Sequence, residues 1–143
     1  MQYEPTTPQQ DGFSMPAEFS PHQGCILIWP ERPGSWKNGA AAARKAFRSV
    51  IAAIAESETV YVAVNPHSRP SAERMLAGMA NVRLLDLDSD DAWARDVAPT
   101  FVRRAADRVV LLDKTVLAYG KPGEVFAAPA FAAAFSGEEG RYA

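Results

Sequence analysis

Three carboxylates, an indole and a guanidinium side chain fall within eight residues at Ser89-Asp90-Asp91-Ala92-Trp93-Ala94-Arg95-Asp96. Carboxylates gathered beside a flat aromatic suit a planar cation. The carboxylate accepts from forked N–H donors while the indole covers the face of the ion. A guanidinium ligand meets both conditions. The same residues also fit a solvated acidic loop in which Trp93 packs into a core and Arg95 pairs with an Asp. A calcium loop fits less well. Asp86, Asp88 and Asp90 stand at the first, third and fifth ligand positions, but the sixth is Asp91 instead of Gly and the twelfth is Val97 instead of Glu.

The chain has one thiol, Cys25, inside the apolar run Gly24 to Trp29. A thiol in such a run behaves as a small hydrophobe with a raised pKa and little nucleophilicity. His22 lies three residues before it. At strand spacing, side chains three apart point to opposite faces, so no Cys–His pair is expected. His22 then reads as a hydrogen-bonded residue fixing the approach to the strand. His67, after Asn65-Pro66, reads as an exposed loop residue. Two His and one Cys at these positions suggest no zinc site, and no metal is assigned. A single Cys allows no internal disulfide. Neither a phosphate loop nor a dinucleotide fingerprint is present, and no Ser sits in a nucleophile elbow. No catalytic residue and no cofactor are therefore assigned.

The 143 residues carry 15 Lys plus Arg against 17 Asp plus Glu, a formal charge of −2, and 48% are hydrophobic. That composition fits one globular domain, at most one and a half. The near-neutral balance offers no basic stripe for nucleic acid or an anionic membrane. The opening MQYEPTTPQQDGFSMP is polar and proline-rich, unlike a signal peptide, and no run approaches the roughly 20 apolar residues of a membrane span. A cytoplasmic protein is expected.

The elements that must position these groups read as α/β. Gly24 to Trp29, ended by Pro30, predicts a strand buried on both faces. Phe47, Val50, Ile51 and Ile54 repeat at helical spacing, which predicts an amphipathic helix over 40–56 with Asn38 as its N-cap. Thr59 to Val64 and Val82 to Leu87 predict strands, with a short helix from Ser71 to Met79 between them. The acidic segment follows the strand ending near Leu87, where open α/β sheets bind ligands. Two more strands are expected at Pro99 to Arg103 and Arg108 to Asp113, and from Leu117 onward the periodicity is weak. The chain thus divides into an N-terminal arm (1–20), an α/β domain (21–115) and a tail (116–143).

Residues 15–33, MPAEFSPHQGCILIWPERP, and 89–102, SDDAWARDVAPTFV, resemble the agmatine deiminase family of the guanidino-modifying superfamily. The second segment resembles that family's Asp-Asp-x-Trp-x-Arg-Asp-x-Gly-Pro signature. The resemblance covers about residues 11–102. It implies an α/β-propeller (pentein) fold, of which this chain supplies the first ββαβ-type unit and the start of the next. It also implies hydrolysis of agmatine to N-carbamoylputrescine and ammonia, in putrescine biosynthesis, without metal or organic cofactor. By the same resemblance Asp96 binds the guanidinium, Trp93 flanks it, Asp90 and Asp91 add acidic substrate-binding positions, and Arg95 orients the loop.

The sequence departs from that pattern at Val97-Ala98, where the family carries a small polar residue and Gly. The match fades after Phe101, and Ala118-Tyr119-Gly120 is a faint echo of a later family segment. The family's second guanidinium-binding segment with its His, and its Gly-rich segment with the nucleophilic Cys, are not found in these residues. The expectation is a chain inactive alone, with a guanidino small molecule as ligand and self-association through uncovered strand edges. The alternative is a non-enzymatic or vestigial cation-binding domain.

Overall fold

Thr59-Val60-Tyr61-Val62-Ala63-Val64 combines β-branched and aromatic residues and forms the central strand of a parallel sheet. The computed structural model describes residues 6–32, 34–89, 92–97, 100–104, 108–113, 115–120 and 124–125. In this sheet β1 (Gly24–Ile28), β2 (Thr59–Val64) and β3 (Val82–Asp86) lie in the order β1-β2-β3. The crossovers carry helices α1 (Ala41–Ala55) and α2 (Arg69–Leu76). Ile51 from α1 and Ala72 and Leu76 from α2 join Val60, Val62 and Val64 in one core, so both helices cover the same face of the sheet.

Several expectations change. β1 is only half-buried over most of its length, and among the described residues it pairs with β2 alone, but its end is covered on both faces: Leu27 packs against the helix-side core, while Ile28 is buried beside Ala63 on the opposite face. Asn38 is not the N-cap of α1. It lies in a left-handed turn (φ 55°) followed by Gly39 and Ala40 in the same region, and Ala40 takes the cap position without a side-chain bond. A side-chain cap needs extended φ/ψ, which this turn denies to Asn38. The buried stripe of α1 centres on Ile51 with Phe47, Ile54 and Ala55, whereas Val50 is 49% exposed. Arg44 and Arg48 flank this stripe and donate to the Pro30 and Met75 carbonyl oxygens at 2.9 and 2.8 Å. Helix α2 starts two residues before its expected position because Pro70 sits in its first turn, where a missing N–H costs nothing.

The described residues of 1–20 and 99–134 form a second compact unit, separate from that of 21–98. It holds an antiparallel sheet, β4 (Thr100–Arg104), β5 (Arg108–Asp113) and β6 (Thr115–Gly120), in the order β4-β5-β6. Strand β6 falls where the sequence shows weak periodicity, so the tail begins with regular structure. Ser14 bridges Arg103 through reciprocal backbone bonds of 2.9 and 3.0 Å, and Phe13 is buried beneath the Arg104 guanidinium. Part of the stretch read as an arm is therefore tied to β4.

Among the described residues, Gly24 is sterically required. Gly24 opens β1 opposite Thr59, and a Cβ there would stand 2.5 Å from the Thr59 carbonyl oxygen. The two strands start at closer approach than any side chain permits.

Candidate functional site

All three parallel strands end at one edge, where backbone groups leave the ladder and need new partners. Asn65, the residue after β2, supplies several of them. Its backbone N–H and Nδ2 donate to the two carboxylate oxygens of Glu31 at 3.2 and 3.0 Å. Nδ2 also donates to the Ser89 carbonyl oxygen at 2.8 Å, while Oδ1 accepts the Ser89 N–H at 2.9 Å. One amide thus fastens the chain beyond β1 and the chain beyond β3 to the end of β2. His67 Nε2 lies 3.2 Å from Glu31 Oε2, and that carboxylate is only 9% exposed.

Ser89 is the first residue of the acidic segment, so Asn65 fixes where that segment departs. Trp93, four residues on, is 65% exposed, which rules out the core-packing alternative for its ring. A short helix, α3 (Ala94–Val97), follows and lies beside β1. Asp96 is within α3, but its side chain lies outside the described residues, as do Asp90 and Asp91. Asp86 belongs to β3 and is held at 2.6 Å by Arg69, so its carboxylate is already committed and the calcium pattern loses its first ligand. Arg69 also reaches Glu73 at 2.9 Å, and its pKa is raised chiefly by the Asp86 bond.

At the opposite edge, where the strands begin, the structure corrects the reading of the thiol and the imidazole. Cys25 pairs in register with Val60, and Glu58, two residues before Val60, shares its face by strand alternation. Cys25 Sγ donates to Glu58 Oε1 at 3.2 Å. His22 precedes β1, so strand parity does not govern it, and its Nδ1 reaches Glu58 Oε2 at 2.5 Å. Cys25 and His22 therefore meet at one carboxylate, contrary to the expectation that they face apart and form no metal-binding group. The Cys25 thiol is pushed up to about 11, first by burial, then by the hydrogen bond to Glu58 and its negative charge. It is a poor nucleophile at neutral pH, as its apolar setting in the sequence implies.

Sequence reasoning did not single out Glu31, Asn65 or Glu58. Each stands just outside a strand of the parallel sheet, the only signal that could have marked it.

The Porphyromonas-type peptidyl-arginine deiminase family matches residues 14–134. The chain belongs to this family. The deiminase match continues past residue 102, where the motifs fade, and takes in β5 and β6. Among deiminase relatives, the agmatine deiminase of Ectopseudomonas mendocina (strain ymp) is 44% identical over 115 residues, covering 80% of this chain and 31% of its own length. The agmatine deiminase of Pseudomonas aeruginosa (strain LESB58) is 45% identical over 97 residues, covering 68% and 26%. The solved agmatine deiminase of Enterococcus faecalis superposes with a TM-score of 0.72 at 33% identity, covering 78% of this chain and 30% of that one. The chain thus spans less than a third of the length of these three deiminases.

Proposed function

We propose that this chain is the first unit, and the start of the next, of an α/β-propeller enzyme that hydrolyses agmatine to N-carbamoylputrescine and ammonia. Its contribution is the acidic and aromatic half of the substrate pocket. Asp96 accepts the guanidinium N–H donors, Trp93 covers the face of the ion, and Asp90 and Asp91 add negative charge. The observation that carries this reading is the 65% exposure of the Trp93 indole on the segment leaving β3 at the strand-end edge, with Asn65 fixing its departure.

Deimination needs a thiolate to attack the guanidinium carbon, a proton for the departing ammonia, and water to release the covalent intermediate. The one thiol of the chain is held protonated beside Glu58 at the other edge of the sheet. The nucleophile and the proton donor are accordingly assigned to polypeptide other than these 143 residues. The raised thiol also favours a second reading, a guanidinium-binding module without turnover.

Calorimetric titration with agmatine and with arginine tests the pocket: saturable binding is expected, lost in Asp96→Asn. No binding at all would refute the pocket. The purified chain is expected to release no ammonia from agmatine above a blank, and release that disappears in Cys25→Ser would refute the assignment of the nucleophile elsewhere. Reading the downstream nucleotides in all frames for a Gly-rich segment bearing Cys separates the enzyme reading from the binding-module reading. Met15 and Phe19 are exposed by 67 and 92%, which supports self-association, and a monomer in light scattering would refute that part.

A further inference from the structure

We propose that His22, Cys25 and Glu58 form a binding site for a borderline transition-metal ion, zinc in the first instance, at the edge where the parallel strands begin. Each residue offers one ligand atom, and these atoms lie within 4.8 Å of one another. The site lies at the opposite edge of the parallel sheet from Glu31, Asn65 and Ser89, so it stands independently of the guanidinium pocket.

The donor set selects the metal class. Nitrogen, sulfur and a single carboxylate suit zinc and its neighbours, whereas calcium and magnesium demand many more oxygens than Glu58 alone supplies. Zinc bonds of about 2.0–2.3 Å in a tetrahedron place neighbouring ligand atoms about 3.3–3.6 Å apart. The observed separations are 2.5 Å from His22 Nδ1 to Glu58 Oε2 and 3.2 Å from Cys25 Sγ to Glu58 Oε1. With every ligand pair within 4.8 Å, each separation differs from these tetrahedral values by no more than about 1.5 Å. Two anionic ligands balance the charge of the ion, and the fourth position falls to water.

The backbone holds the ligands in place. Cys25 is on β1, directly after the close approach of Gly24 to Thr59, and Glu58 is fastened to the end of α1 by its N–H to the Ile54 carbonyl oxygen. His22 is 51% exposed on its side chain and Glu58 15%, which leaves a path from solvent to a partly covered site. An ion there would clamp the chain before β1 to the start of β2.

The test uses the tag-free, reduced chain titrated with cobalt(II). The chain has one Cys, so a thiolate-to-cobalt charge-transfer band reports Cys25 alone. The expected result is that band with tetrahedral ligand-field absorption, saturating at one ion per chain, and zinc competing it away. Cys25→Ser should abolish the band and weaken zinc binding, followed by calorimetry, by about 100-fold. His22→Ala and Glu58→Gln should each weaken it by at least about 10-fold. His67→Ala should change nothing. Circular dichroism confirms that each variant is folded. The proposal is overturned if the folded wild-type chain gives no band in excess cobalt, or if saturation comes at one ion per two chains. It is equally overturned if zinc affinity is unchanged in folded His22→Ala and Glu58→Gln, or lost in His67→Ala.

Discussion

The protonated state of Cys25 can be measured directly because it is the only thiol in the chain. Burial and Glu58 raise it from 9.0 to about 11. Below both values, a two-unit rise lowers the thiolate fraction about 100-fold. A more basic thiolate is intrinsically more nucleophilic, by roughly 6- to 10-fold for two units at a Brønsted coefficient of about 0.4–0.5. The net expectation is alkylation about 10-fold slower than a free thiol near neutral pH, before any hindrance from burial. Iodoacetamide modification followed by mass spectrometry, with a chelator present and across a pH series, gives both rate and midpoint. The midpoint should lie well above 9.0. In Glu58→Gln it should fall but stay above 9.0, since burial, the larger cause, remains. A wild-type midpoint at or below 9.0, or a rate matching free cysteine at neutral pH, would refute the account. It would also reopen Cys25 as a nucleophile.

The same shift carries a stability consequence. The folded state keeps the thiol proton longer than the unfolded chain does, so stability should decline as pH rises from 9.0 towards about 11, and Cys25→Ser should flatten that decline in pH-dependent melts. Gly24→Ala should cost about 1–3 kcal/mol in urea unfolding, because its Cβ meets a backbone oxygen that cannot rotate away. Wild-type stability in that variant would mean the strands are not so close. Asn65→Ala removes the shared donor and acceptor between Glu31 and Ser89 and should cost about 1–3 kcal/mol, with agmatine binding weakened more than the melt alone accounts for. Ile51→Ala, at 0% exposure in the helix–sheet core, should cost about 2–5 kcal/mol by the same unfolding assay.

Much of the parallel unit is legible from one-dimensional pattern. The β-branched run 59–64 marks its strand because alternation is local, and the 3.6-residue repeat around Ile51 marks α1 for the same reason. The class α/β, the acidic segment beyond the third strand and the family itself follow from residue type and order. Helix starts shifted where a local device intervened, as with Pro70 at the start of α2 and the left-handed turn at Asn38, and several element ends moved by one to three residues. Strand β6 escaped because its short Ala- and Gly-containing run shows little alternation, and its pairing with β5 supplies what its own pattern lacks.

Neither carboxylate that organises the sheet edges could be found that way. Glu58 lies 33 residues from Cys25 and 36 from His22, and Glu31 lies 34 from Asn65. No periodicity links such positions. They meet because parallel strands begin at one edge and end at the other, so residues flanking different strands become neighbours whatever their separation in sequence. Composition and order determined which groups the chain possesses and which family it joins. Strand register brought the thiol to Glu58, the path of the chain before β1 brought the imidazole to the same carboxylate, and the shared strand-end edge let one asparagine fix where the acidic segment leaves the sheet.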